Sequence, residues 1–282
     1  MKVIDQKSNP YVEIEPEEAQ EIFDKRQSNR PINQGMVSRY ARAMSEGKWK
    51  PCTTISFCEG KLEDGQHRML ACIMSGEPFK GFAHFHADHD MFETYDQGHK
   101  RSNADVLAIA GHSNTKTMAQ VLQVLEKVNS KQGLTDATGG AQRKTIQPYE
   151  IQEVYDKYNG EVSTVSYSCY LVDKYKHYFK VPKVPVGVLH YHLALNTKSD
   201  KCVDEFIVNK LLKGLNLSEG DPVFAFRNFI NRSYARQTSI GIQQIPHRHI
   251  IFGGIAVWNK WVKGKAMKRL TIPEGNHPPK VL

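Results

Sequence analysis

The stretch Leu62-Glu63-Asp64-Gly65-Gln66-His67-Arg68-Met69-Leu70-Ala71 decides the reading of this 282-residue chain. Its pattern predicts a strand ending at Leu62, a tight turn at Gly65 and a helix from Gln66 to about Ser75, closed by Gly76. Such a junction aims free backbone N–H groups and the positive end of a helix dipole at one spot, which favours an anion there. His67 and Arg68 fall in the first turn, where they can give charge-assisted hydrogen bonds to phosphate oxygens. Glu63 and Asp64 stand beside them as carboxylates able to hold a metal ion or take a proton from an attacking hydroxyl. The same residues allow a plainer reading, in which Asp64 N-caps the helix and Arg68 pairs with a surface carboxylate.

Working outward, the neighbouring segments alternate helix and strand. Glu15 to Gln27 reads as a helix, and a second one carries the apolar stripe Met36, Val37, Tyr40, Ala41 and Met44 before Gly47. Thr53–Phe57 and Gly81–Ala87 read as strands. Ser102-Asn103-Ala104-Asp105 opens a capped helix over Asn103–Ala110. From Thr115 the pattern turns helical, with a Gly/Thr-rich loop at Gly133–Arg143. Further helices are expected near 148–158, 161–179, 184–196, 200–213, 222–236 and 246–262. The expected organisation is an α/β domain over 1–112, a basic all-α domain over 113–272, and a flexible tail over 273–282.

Composition narrows the class. Hydrophobic residues at 40% and charged residues at 24% exclude a largely disordered chain. The five cysteines are scattered, with no C-x-x-C pair, which argues for reduced thiols. No apolar run is long enough for a membrane span or a secretory signal, so the expected compartment is the cytoplasm. The net charge of +8 is unevenly placed, at −3 over residues 1–112 and +11 over 113–282. That basic half invites a polyanionic partner, or is a solvated surface and nothing more. Arg227, Arg232, Arg236 and Arg248, with Tyr234 interleaved, form the candidate phosphate-tracking face. Trp258, Trp261, Phe224, Phe226 and Phe229 are expected in the helical core. His190-Tyr191-His192 and His247-Arg248-His249 are expected at the surface.

Two further groupings carry possible chemistry. Asp96-Gln97-Gly98-His99-Lys100-Arg101 repeats the acid, glycine, histidine and guanidinium pattern ahead of a capped helix. It can supply a second anion site or the other wall of one cleft, with Asp96 as an acid and Gly98 and Arg101 on phosphate. His84, His86 and His89 with Asp88 and Asp90 can be read as metal ligands, although strand-to-turn histidines are more often unligated.

The run D-G-Q-H-R-x-x-A over Asp64–Ala71 resembles the signature of DGQHR-type members of the ParB/sulfiredoxin superfamily. Arg30-Pro31, Val37-Ser38-Arg39-Tyr40-Ala41, Ile55-Ser56-Phe57, Tyr95-Asp96-Gln97-Gly98, Gly220-Asp221-Pro222 and Ala256-Val257-Trp258-Asn259 extend that resemblance to ParB-domain-like proteins of phages and mobile elements. The superfamily includes nucleotide-dependent DNA clamps, nucleases, free-serine kinases and sulfinic-acid reductases. What the resemblance implies in common is a phosphate cradle at Gly65, Gln66, His67 and Arg68. Sulfiredoxin-like members carry a cysteine where this chain has Gln66, which speaks against sulfinic-acid reduction. The arginine-rich cradle, helix-turn-helix and dimerising tail of partition proteins have no convincing counterpart here. The kinase motif D-G-H-H-R differs by one residue.

The expected function is therefore ATP- or other NTP-dependent phosphoryl transfer or hydrolysis with Mg²⁺ held by Asp64 or Glu63, in a DNA-associated bacterial or phage setting. A homodimer is possible. The rival readings are a metal-dependent nuclease, a DNA-binding regulator that senses a nucleotide without turnover, and an accessory protein that keeps the motif for its fold.

Overall fold

The computed structural model describes residues 10–26, 31–85, 102–134, 145–160, 164–199, 201–235, 237–238, 241–242 and 245–282. Two compact units divide the chain, Met1–His99 and Lys100–Leu282. The division falls at 99/100, where the sequence reading puts it at 112, because the helix opened by Ser102 buries Leu107 in the core of the second unit. The charge asymmetry survives the shift: 12 Lys+Arg against 16 Asp+Glu in the first unit, and 26 against 14 in the second.

In the first unit, strands β1 (Tyr11–Ile14), β2 (Thr54–Cys58), β3 (Lys61–Asp64) and β4 (Phe79–His84) form one mixed sheet in the order β1-β4-β2-β3. β4 runs parallel to β2 and antiparallel to β1, while β2 and β3 form a hairpin. Helices α1 (Pro16–Asp24), α2 (Gln34–Ser45) and α3 (Gln66–Ser75) belong to the same unit, and α3 packs on both α1 and α2. Apolar positions at helical spacing supply the seam: Val37, Ala41 and Met44 from α2, Met69 and Cys72 from α3, and Ala19 from α1. Ile55, Phe57, Leu62 and Phe79 complete the core from the sheet. β1 is an addition to the sequence reading. β3 also reaches two residues further than expected, to Asp64, so the two carboxylates lie on the strand rather than in the turn.

The second unit is mainly helical, as expected. It contains α4 (Asn103–Ile109), α5 (Thr115–Val128), α6 (Ile151–Lys157), α7 (Val165–Tyr175), α8 (Lys183–Asn196), α9 (Pro222–Ala235) and α10 (His247–Val262). α8 is apolar on nearly every side and sits in the centre, packed by α5, α7 and α10. Gly254 lets α10 approach it closely, since a Cβ there would fall 2.3 Å from Leu189 Cδ2.

Several expectations for this unit need correction. Residues Glu205–Leu212 form a π-helix where an α-helix was expected, and Gln237–Thr238 (β5) pairs with Gly241–Ile242 (β6), so the unit is not all-α. The segment 273–282 is extended but docked, not a flexible tail. Val281 is buried, and Thr197 Oγ1 (2.8 Å) and Trp258 Nε1 (3.2 Å) both donate to the Leu282 carbonyl. Asn259 donates to the Lys280 carbonyl and accepts from Leu282 N–H. Trp258 and Phe226 are fully buried as expected, but Phe224 is exposed. Among the described residues, no helix is long and apolar enough to cross a membrane.

Candidate functional site: the Gly65 turn

β3 does not run straight into the turn. Ser56 pairs with Asp64 and Phe57 with Leu62, so Glu63 is an extra residue forming a β-bulge. A bulge bends its strand and re-aims the side chains that follow, here Asp64. Gly65 then takes φ +119° and ψ 5° and occupies the N-cap of α3, with no side chain capping the helix. Its lack of a Cβ is required twice. The dihedral is one that L side chains rarely adopt, and a Cβ would fall 2.6 Å from Ile55 Cγ2. Asp64 is therefore not the N-cap.

Arg68 bends back over the turn. Its Nη1 donates to the Thr54 carbonyl at the start of β2 and lies 3.3 Å from Asp64 Oδ2. The Arg68 side chain is 16% exposed and that of Asp64 28%, so the pair is sheltered but reachable. Sheltering strengthens an ion pair relative to one in open water. The guanidinium also lies close to Gly65, with Nη1 3.5 Å from where a Cβ would stand. Gly65 itself is buried, and the half-buried guanidinium and carboxylate lie beside it. Arg68 and Met69 N–H both return to the Gly65 carbonyl, which tightens the first turn.

The other motif residues point inward. His67 is buried, and its Nε2 accepts a 3.0 Å hydrogen bond from Asn33 N–H at the N-cap of α2. An acceptor nitrogen carries no proton, so Nε2 braces α2 and is not offered to a phosphate. Gln66 and Glu63 are buried as well, at 4% and 5% exposure. Of the expected cradle the structure brings together Gly65 and Arg68, with the expected acid Asp64 beside them. Asp96, Gly98, Arg101 and Arg236 lie outside the described residues, as do His86, Asp88, His89 and Asp90. Among the described residues no three His, Cys, Asp or Glu side chains cluster to hold a metal. A magnesium ion usually keeps one or two carboxylates and completes its shell with phosphate oxygens and water, a role Asp64 fits through Oδ1.

The arginine face is reassigned in part. Arg227 Nη1 donates to the Leu211 carbonyl and, at 3.0 Å, to that of Leu212, and the guanidinium lies 4.0 Å from the Phe179 ring centroid. It closes the end of the π-helix. Arg248 donates to the Pro273 and Gly275 carbonyls and holds the docked segment. Only Arg232 of the described set is an exposed charge on α9.

One constellation escaped the sequence reading. His190 is buried, not at the surface. Its Nδ1 meets Ser168 Oγ at 2.8 Å and its Nε2 meets Asp204 Oδ1 at 2.8 Å. The His190 hydrogen bond, helped by one from the Tyr167 hydroxyl, holds the Asp204 carboxyl below the usual carboxylate range. The order of groups is that of a nucleophilic triad, but Ser168 is fully buried and out of a reactant's reach. The network ties α7 to α8 and to the residue before the π-helix. Burial also pushes the Cys169 thiol up to about 12 and the Cys72 thiol above its ordinary value, which makes both poor nucleophiles.

Compared with protein-family models, with curated proteins and with solved structures, the chain finds no significant match to any of them.

Proposed function

We propose that the first unit binds the phosphate chain of a nucleotide at the Gly65 turn and carries out phosphoryl transfer or hydrolysis there. A nucleic-acid partner is held by the basic second unit. The observation that carries the reading is the uncapped, left-handed Gly65 at the head of α3 with the Arg68 guanidinium leaning over it. The DGQHR resemblance points the same way.

Phosphate oxygens fit where the positive end of the α3 dipole meets the Arg68 guanidinium. In the free protein Asp64 partly neutralises Arg68. An arriving phosphate takes over that guanidinium and releases the carboxylate towards the reacting end of the ligand. Mg²⁺ bound through phosphate oxygens and Asp64 would neutralise charge that develops on them. Asp64, steered by the bulge at Glu63, accepts the proton of the attacking hydroxyl or water. As the new P–O bond forms, the bond to the leaving diphosphate breaks. Most of the rate in such chemistry comes from positioning and charge, so a small constellation suffices.

The test is calorimetry with ATP, with and without Mg²⁺, followed by chromatography for ADP. Arg68→Ala is expected to weaken ATP binding by about one to two decades, the value of a charged hydrogen bond to phosphate. Arg68→Lys keeps the charge and recovers part of the affinity. Because Arg68 also holds the Thr54 carbonyl, circular dichroism of each variant checks the fold. Unchanged affinity in folded Arg68→Ala refutes the site. Binding without ADP release makes the turn a sensor, and Mg²⁺-dependent DNA cutting without nucleotide binding makes it a nuclease.

A further inference from the structure

We propose that the outer face of α7 and the turn after it form a binding surface for single-stranded nucleic acid. The surface uses none of the arginines of α9 and α10, and it stands without the Gly65 turn. Tyr167 and Tyr170 are each 45% exposed and Tyr178 is 52% exposed. Large rings open to water at successive positions on one face are unusual on a surface that could have carried small or charged residues at less cost. The rings are ordered among themselves. Tyr167 and Tyr170 stack with centroids 6.4 Å apart and planes 28° apart.

Lysines are interleaved with these rings. Lys174 Nζ bonds the Tyr170 hydroxyl at 2.9 Å and also lies over the Tyr175 ring. Lys213, at the end of the π-helix, lies 4.9 Å from the Tyr175 centroid and 5.9 Å from that of Tyr178. An open depression beside Tyr170 and Lys174 adds Lys116, Lys176 and Lys183. Among the described residues, Asp173 and Asp204 lie at this surface and both are engaged. Asp173 pairs with Lys183 and Lys176, and Asp204 is held by His190 and Tyr167. The surface therefore keeps a cationic excess in a unit whose total is already strongly positive.

Positive charge alone suits a duplex, a strand or an acidic peptide. Exposed rings decide among them. Bases in a duplex hide their faces in the stack, whereas unpaired bases can lie on tyrosine rings while lysines follow the phosphates. An acidic peptide uses the lysines and gains nothing comparable from the rings.

The experiment is fluorescence anisotropy on the full chain with a labelled oligothymidylate and an oligouridylate of about 20 nucleotides, against a duplex of equal length. Poly-glutamate serves as a charge-only competitor. We expect one or both single strands to bind at least about tenfold tighter than the duplex, with poly-glutamate a weak competitor. The preferred strand tells DNA from RNA. Tyr170→Ala and Tyr178→Ala should each weaken binding about tenfold, as loss of a stacked base does, and Tyr170→Phe should restore most of it. Lys174→Gln and Lys213→Gln should each reduce the slope of log affinity against log salt by about 0.7. Both tyrosines are exposed, so unchanged melting should accompany the loss. Calorimetry with ATP on the same samples reports separately on the Gly65 turn. Equal binding by the variants, equal affinity for the duplex, full displacement by poly-glutamate, or no binding at all would overturn the surface.

Discussion

Gly65→Ala should cost the first unit a large part of its stability, for reasons that can be added up. A Cβ at Gly65 would stand 2.6 Å from Ile55 Cγ2, and Ile55 is completely buried in the strand beside it. A non-glycine residue in left-handed backbone costs roughly 1–2 kcal/mol, and forcing a methyl into a packed core costs about 1–3 kcal/mol more. The sum is about 2–5 kcal/mol. In a unit of this size 1 kcal/mol moves the midpoint by roughly 4–8 °C, so the expected drop is at least about 8 °C. Thermal melting by circular dichroism gives the shift. A cycle with Ile55→Ala identifies its source, because removing Cγ2 relieves the clash and the double variant should lose less than the two single losses combined. A melting point within about 1 °C of the parent would refute the geometry given for the turn.

Arg227→Ala should lower stability by about 1–3 kcal/mol in urea unfolding, since two carbonyls at the end of the π-helix lose their donor. Nucleic-acid affinity should stay unchanged if this arginine is structural. Removing residues 273–282 should expose Trp258 and its neighbours, red-shifting tryptophan emission and lowering the melting point; an unaltered spectrum would contradict the docked segment. The Tyr167 hydroxyl is pushed up to about 12 by its hydrogen bond to Asp204. Its raised value means that its contribution to stability is complete below about pH 10 and fades as pH climbs towards 12. Ultraviolet titration of tyrosinate should lose a late ionisation in Tyr167→Phe, and that ionisation should move down in Asp204→Asn.

Punctuation by glycine was readable from the sequence because it acts locally. Gly65 and Gly76 bound α3 at both ends, and both take positive φ. The Ser102 capping box forms with both of its hydrogen bonds, to Asp105 and from it. Features that depend on distant partners were not readable. β1 is four residues long and exists through its pairing with β4, so no periodicity announces it. The π-helix carries the same apolar run that an α-helix would. α8 is apolar nearly all round, so its sequence gives no exposed face against which His190 could be judged buried. At the Gly65 turn the residue types were legible, but their directions were not. His67 and Arg68 are neighbours in sequence, yet one is drawn in by the N–H of Asn33 and the other leans out over the glycine.

The docked segment has a consequence for how the chain is made. Its last carbonyl is shared by Thr197 at the end of α8 and Trp258 in α10, and Asn276 accepts from Leu134 just beyond α5. Three widely separated stretches of the helical unit are thus tied by residues 273–282, which leave the ribosome after those stretches. Synthesis proceeds at about 5–20 residues per second, and domains fold largely as they emerge, so the first unit has many seconds to fold before that strap exists. The helical unit must meanwhile keep Trp258 and the end of α8 unsealed until residues 273–282 have emerged. A nascent chain stalled short of residue 273 would then carry a folded first unit beside a protease-sensitive second one.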